Sequence, residues 1–318
     1  MNLDDVAAAL AARLPGAVER DVPVSGLTTY RLGGPVAILV RVATEEDVLT
    51  LAEAIGTPPE ECAVPVLVIG RGSNLLVADR GFAGVAVVLG GVFEAVELRP
   101  DDGVVRAGAG VPLPVVARRA AAAGLAGLEF YVGIPGSVGG AVRMNAGGHG
   151  RETHEVLREA QLIDLRTAQP RACTPEELGL AYRHSEVGDR DVVLAAEFQA
   201  VADDPDACSA RIDEVVRWRR AHQPGGSNAG SVFRNPPDDS AGRLVDACGL
   251  KGLRVGGAHV SRKHANFFQA DRTATANDVR SLVEEVQRRV ADATGVRLVA
   301  ELHMVGFDRD DREGRDEG

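Results

Sequence analysis

Two glycine-dense stretches limit what this chain can become. The first, residues 66–79, reads VLVIGRGSNLLVAD: an apolar run with the marks of a buried strand opens into Gly70-Arg71-Gly72-Ser73-Asn74. The second, residues 133–150, reads GIPGSVGGAVRMNAGGHG. Glycine is needed where backbone must approach something closely or adopt a positive φ, and such loops leave N–H groups that suit a phosphate. A P-loop is excluded, because the only lysines are Lys251 and Lys263, and the spacing is not G-x-G-x-x-G. Either stretch alone reads as an ordinary turn. Two, each following apolar structure, favour a shared extended ligand.

Any anionic ligand must be met locally, because 35 basic against 46 acidic side chains leave a net charge of −11. That balance argues against nucleic acid, whose backbone demands clustered positive charge. No apolar run approaches the ~20 residues of a membrane helix. Asp4 and Asp5 stand where a signal peptide would be basic. A cytoplasmic protein with no membrane partner is expected. Cys62, Cys173, Cys208 and Cys248 lie far apart without a C-x-x-C and read as structural thiols. The seven histidines form no H-E-x-x-H, so no metal is expected.

Periodicity predicts a helix over 3–14, a strand over 36–42, and a helix over 44–55 with Thr44 as its N-cap. Strands follow at 64–69, 85–89, 96–98 and 104–107, then a helix at 113–123. A doubly wound nucleotide fold would repeat this β-α-β opening. Here extended segments at 157–165 and 192–201 come next, which is an α+β signature. After an acidic turn at 203–206 come helices at 205–221, 241–248 and 277–294 and a strand at 297–305. In that strand, alternation puts Leu298, Ala300, Leu302 and Met304 on one face and Val299, Glu301, His303 and Val305 on the other. Residues 308–318 are nearly all charge and glycine, as in a frayed tail.

Several residues could carry chemistry. Ser231, in NAGSVFRNPP, is either a turn serine or a proton donor; without a G-x-S-x-G elbow it is not a hydrolase nucleophile. Arg183, in AYRHSE, is either a surface side chain or a guanidinium clamp on a carboxylate or developing enolate. Glu301 sits in an apolar strand, where ionisation is costly unless paired, so it is a salt-bridge partner or an active-site acid. Arg211, Arg217, Arg219 and Arg220 form a solvated helix face or a seat for pyrophosphate.

In order and spacing, the segments TTYRLGG, IGRGSNLLVAD, GLEFYVGIPGSVGGAVRMNAG, YRHS, NAGSVFRNP, AGRLVDACGLKGLRVGGAHVSRKHANF and LVAELHMVG resemble the UDP-N-acetylenolpyruvoylglucosamine reductase family. These are flavoenzymes of peptidoglycan precursor synthesis. The resemblance spans nearly the whole chain. It implies an α+β fold with a two-subdomain FAD-binding region of the PCMH/VAO type, at 1–84 and 85–203. A smaller α+β substrate-binding domain at 204–307 and a disordered tail at 308–318 complete it. It further implies non-covalent FAD, NADPH as reductant, UDP-N-acetylglucosamine-enolpyruvate as substrate, and a monomer.

By the same resemblance, Gly70, Gly72, Ser73 and Asn74 offer donors to the FAD pyrophosphate. Gly133, Ile134, Pro135, Gly136 and Ser137 would line the cofactor's other side, continued by Gly139, Gly140 and Ala141 and then by Asn145, Ala146 and Gly147. Tyr30 would pack near one end of the cofactor. Arg183 and Glu301 match positions that polarise the substrate carboxylate, with Glu301 sharing a proton, and Ser231 matches the proton donor to C2. Arg219, Arg220 and Asn235 would hold the UDP-sugar. Two departures lose permanent charge: His222 and His303 stand where the family often has lysine and arginine. The short gap after YRHS marks the subtype without an inserted tyrosine loop. A flavin oxidase on the same domain would instead tether its cofactor through histidine or cysteine, and His149 lies just past NAGG without a cysteine partner. A non-catalytic flavin-binding relative would have no reason to keep Arg183, Ser231 and Glu301 together.

Overall fold

The computed structural model describes residues 2–56 and 64–307; Cys62 and the charged tail lie outside them. Two compact units emerge, each discontinuous in sequence. The first gathers the described residues of Met1–Arg20, Ile38–Gly72 and Gly84–Gln223, and the second those of Asp21–Ala37, Ser73–Ala83 and Pro224–Gly318.

The first unit carries most of a four-stranded sheet ordered Val18–Pro23, Pro35–Val42, Phe82–Leu89, Val66–Val68, whose last pair is parallel. Helix Glu45–Ile55 starts at Thr44, whose side chain and that of Asp47 form a reciprocal capping box. A second, five-stranded antiparallel sheet runs Gln169–Cys173, Leu157–Asp164, Asp191–Gln199, Val104–Gly108, Val96–Arg99. Against it lies helix Leu113–Ala122, which buries Leu113, Val116, Ala117, Ala120 and Ala121, one stripe at helical spacing. Helix Pro205–His222, which the sequence places with the substrate-binding part, belongs here instead, because Cys208 and Ile212 are buried in this core with Leu128 and Phe130.

In the second unit, helix Ala276–Thr294 buries Val279, Leu282, Val283, Val286 and Val290. It shares a core with Ala258, Val260 and Phe268 from a three-stranded sheet, Arg254–Val255, Ala258–Val260 and Phe268–Ala270. Those strands are too short to leave a readable alternation.

Two further expectations need correction. The second glycine stretch is not all loop: Val138–Met144 is helical, burying Val138, Ala141 and Val142. A side chain at Gly139 would press its Cβ to 3.0 Å from Ala109 Cβ, so glycine lets this turn sit down on the chain leaving the sheet. The last strand is also shorter than 297–305. Only His303–Val305 forms a ladder, parallel to Leu75–Val77, while Glu301 N–H donates to Val232 O at 2.8 Å and Arg234 N–H to Val299 O at 2.9 Å. The segment changes partner at this point and its alternation slips, so Val305 is buried although His303 is exposed.

Helix Ala276–Thr294 has a second cap besides Thr275. Asp79 accepts the N–H groups of Ala276 at 2.8 Å and Asn277 at 2.9 Å. Asp79→Ala is expected to destabilise the protein by about 1–2 kcal/mol, read as a lower urea midpoint, with Asp79→Asn recovering part of the loss.

Candidate active site

The two glycine stretches meet within the first unit. A Cβ at Gly70 would collide with Ser137 Oγ, so the bare backbone of the first loop is a condition for Ser137, itself 2% exposed, to sit where it does. Val138 N–H and Gly139 N–H donate to Val111 O and Ala109 O at 3.0 and 2.9 Å, fixing the second loop from behind. Gly140 is different. A Cβ there would meet only Ser137 Oγ at 3.6 Å, an ordinary contact. At Gly148 a Cβ would meet only the Ile134 side chain, at 3.8 and 3.9 Å. The protein's own packing does not demand glycine at either place. Open backbone on converging loops fits a dinucleotide, whose phosphates need N–H donors unobstructed by side chains.

Arg183 lies against the end of the second loop. Its backbone is left-handed at φ 55°, and the guanidinium stands 5.0 Å from the Tyr182 ring centre. Its Nη1 donates to Glu152 Oε1 at 3.2 Å and its Nη2 to Gly147 O at 3.0 Å. A Cβ on Gly147 would come within 2.7 Å of Arg151 O, 2.8 Å of Glu152 Cγ and 3.0 Å of that Nη1, so the hairpin backbone, then Glu152 and Arg183, require glycine here. Asn145, fully buried at φ 42°, donates from Nδ2 to Glu152 Oε2 and to Ala181 O, both at 2.9 Å, and accepts His154 N–H at 2.9 Å. Its side chain therefore serves the carboxylate that holds Arg183. Sequence reasoning missed Glu152. The signal was GGHGRE: His149 and Gly150, both at positive φ, turn a two-residue hairpin that sets Glu152 opposite Gly147.

Near the C-terminal end of helix Pro205–His222, Trp218 is 46% exposed, with His222 stacked on it at 4.6 Å and the His149 ring edge-on at 4.9 Å. Burial, and then the charge of Arg219, holds His149 below its usual pKa. Arg219 is half-buried and donates to Gln223 Oε1 at 2.8 Å, whereas Arg220 is exposed. His222 Nδ1 lies 2.7 Å from Trp218 O.

The second unit holds Ser231 and Glu301. Ser231 bridges to Phe267 in an extended segment, and Val232 beside it accepts the Glu301 N–H. Asn74, at the edge of the first glycine loop, donates from Nδ2 to Glu301 O at 3.0 Å and accepts His303 N–H at 3.1 Å. The amide matched to the cofactor thus also braces the Glu301 backbone. Asn266, 3% exposed and unnoticed in the sequence, pins the Ser231 segment. Its Nδ2 donates to Phe233 O at 2.8 Å, its Oδ1 accepts Phe233 N–H at 3.0 Å, and its backbone O accepts Val232 N–H at 2.9 Å. Asn235, expected on the sugar, accepts Ala241 N–H at 3.0 Å. Tyr30 is 1% exposed among Leu76, Val232 and Phe233, its hydroxyl has no protein partner, and burial raises its pKa.

Among the described residues no helix is long and apolar enough to cross a membrane, and no His/Cys/Asp/Glu cluster could hold a metal ion. Cys173 and Cys208 are buried, Cys248 is half-buried, and all three are free.

Comparison with known proteins gives the class first. Residues 36–170 match the family model described as FAD binding domain, so the α+β first unit is that of a flavoprotein, an FAD-dependent oxidoreductase. Residues 222–305 match the model described as UDP-N-acetylenolpyruvoylglucosamine reductase, C-terminal domain. The chain is 43% identical over 308 residues to the UDP-N-acetylenolpyruvoylglucosamine reductase of Methylorubrum populi, covering 96% of this chain and 97% of the relative. Identity to that of Parvibaculum lavamentivorans is 42% over 318 residues, covering 99% and 100%. A solved UDP-N-acetylenolpyruvylglucosamine reductase from Thermus caldophilus superposes with a TM-score of 0.78 at 37% identity, covering 91% of this chain and 98% of that one. The chain belongs to the UDP-N-acetylenolpyruvoylglucosamine reductase family.

The clamp on the Ser231 segment has a measurable consequence. Asn266→Ala leaves both backbone polar groups of buried Phe233 without their partners and is expected to destabilise the fold by about 2–3 kcal/mol, measured by urea denaturation.

Proposed function

We propose that this protein reduces UDP-N-acetylglucosamine-enolpyruvate to UDP-N-acetylmuramate in the cytoplasm, with NADPH as the reductant and Ser231 as the proton donor. Bound non-covalently, FAD supplies the hydride chemistry that links nicotinamide to the enolpyruvyl double bond. The residues proposed to hold it are Gly70, Gly72 and Ser73 on one loop, with Gly133–Ser137 and Gly139–Ala141 on the other. Open backbone at Gly140, and the meeting of Gly70 with Ser137, support that assignment.

Reduction adds hydride at C3 of the enolpyruvyl group and leaves an electron pair at C2, conjugated with the carboxylate. The Ser231 hydroxyl then gives its proton to C2, completing the C–H bond. Arg183 is assigned to the substrate carboxylate, where a guanidinium fork stabilises the growing enolate charge. The Glu152 carboxylate beside it fixes the direction of that fork. Glu301 acts while protonated, because a bare carboxylate would repel the enolate. The observation that carries the reading is the hydrogen bond from Glu301 N–H to Val232 O at 2.8 Å, which holds the acid and the serine on adjoining extended segments. Arg219 and Arg220 are proposed to contact the substrate's phosphates. Asn235 is left a weaker candidate for the sugar by its bond to Ala241.

The two half-reactions separate the roles. With FAD-loaded protein under anaerobic conditions, Ser231→Ala is expected to slow the return of yellow colour on adding UDP-enolpyruvyl sugar by ~10²–10⁴-fold. Bleaching by NADPH should keep its native rate. Equal loss in both phases would remove Ser231 from its role, and colour that returns only with oxygen would point to an oxidase.

A further inference from the structure

The second unit has a cavity of about 360 Å³ on the outer face of its three-stranded sheet. Arg254 pairs with His259 and His259 with Gln269 across the strands, so all three side chains share this face. Ala258, Val260 and Phe268 fill the opposite, buried face. Arg262 and Lys263 come from the turn that follows, and both are exposed.

That turn is built to bring them back over the sheet. Ser261, 1% exposed, accepts Lys263 N–H at 3.1 Å and His264 N–H at 3.5 Å, which leaves its own hydroxyl proton to donate. Gly252, at φ 82°, lets the Arg262 guanidinium lie flat on the backbone; a Cβ there would stand 3.2 Å from Cζ. Arg254 is paired with Asp271 at 2.5 Å. Among the described residues no carboxylate lines the cavity, in a chain whose net charge is −11. His259 Nδ1 is buried with no protein partner. Burial, and next the charge of Arg254, holds this imidazole below its usual pKa, so at neutral pH it is an uncharged donor and acceptor.

We propose that this cavity binds a phosphate-bearing anion, held by Arg262, Lys263 and the Ser261 hydroxyl. Guanidinium forks and a hydroxyl match phosphate oxygens, and the nearby Asp271 carboxylate is paired with Arg254, leaving Arg262 and Lys263 as the cations of the site. The site is close to the proposed chemistry. Ser261 N–H donates to Phe267 O, and Phe267 bridges to Ser231, so two strand spacings, roughly 10 Å, separate the serines. If the proposed function holds, the phosphate has two sources: the diphosphate of the UDP-sugar or the 2′-phosphate of NADPH.

The test is calorimetric titration of the full-length, FAD-loaded protein with inorganic pyrophosphate, which requires no turnover. Arg262→Gln and Lys263→Gln are each expected to weaken binding about tenfold, with Arg262→Lys recovering only part of the loss, because it keeps the charge without the fork, and thermal midpoints unchanged. No heat at millimolar pyrophosphate, or native affinity in both glutamine variants, would overturn the site. Michaelis constants then identify the source. A rise for UDP-enolpyruvyl sugar alone assigns the diphosphate, and a rise for NADPH but not NADH assigns the 2′-phosphate. Unchanged constants with pyrophosphate affinity lost assign the site to a separate phosphorylated ligand. Should the protein reduce no enolpyruvyl sugar at all, the proposed function falls, and the titration still decides the site.

Discussion

Close approach of backbone to side chain at Gly70 is the constraint on which the first unit's site rests. Ser137 Oγ occupies the space that any β-carbon would need. With the two loops this close, Val138 and Gly139 bond back to Val111 and Ala109, and the short helix Val138–Met144 leads to Asn145 in its left-handed position. From there the order passes to Glu152 and Arg183 through hydrogen bonds of 2.9 and 3.2 Å. A glycine that looks like a loop breaker is therefore the first link in a chain that ends at a guanidinium.

The second unit reaches similar rigidity by sharing backbone groups. The segment 299–305 pairs first with the extended Ser231 segment and then with Leu75–Val77, and Asn74 and Asn266 fasten the two sides of that exchange. Amides suit this work because each carries donors and an acceptor, so one buried side chain satisfies several backbone groups. Lys251 and Lys263, the only lysines, lie outside this framework, which rests on neutral groups.

Much of this was legible in the sequence. Thr44 and its following acids announced a helix start, and the spacing of Leu113, Val116, Ala117, Ala120 and Ala121 announced a buried stripe. Family motifs single out Ser231, Arg183 and Glu301 as candidates, though a motif says nothing about what each side chain touches. Asn74, Asn145 and Asn235 are read from the motifs as ligand contacts, and each also has a protein partner that the motifs do not reveal. Local sequence could not show this, because the partner of Asn74 lies 227 residues away. Strands of two or three residues, such as Arg254–Val255, are set by their neighbours and leave no period to read.

That long separation bears on how the protein is made. The parallel pairing of Leu75–Val77 with His303–Val305 joins an early segment to one of the last described residues. On the ribosome, the first of these emerges long before its partner exists, and closing so wide a loop is slow as well as late. The first unit can mature while its companion waits, half-synthesised, with Leu75, Leu76 and Val77 uncovered. A premature stop shortly before residue 303 would strand those aliphatic side chains in water, creating a target for chaperones and proteases.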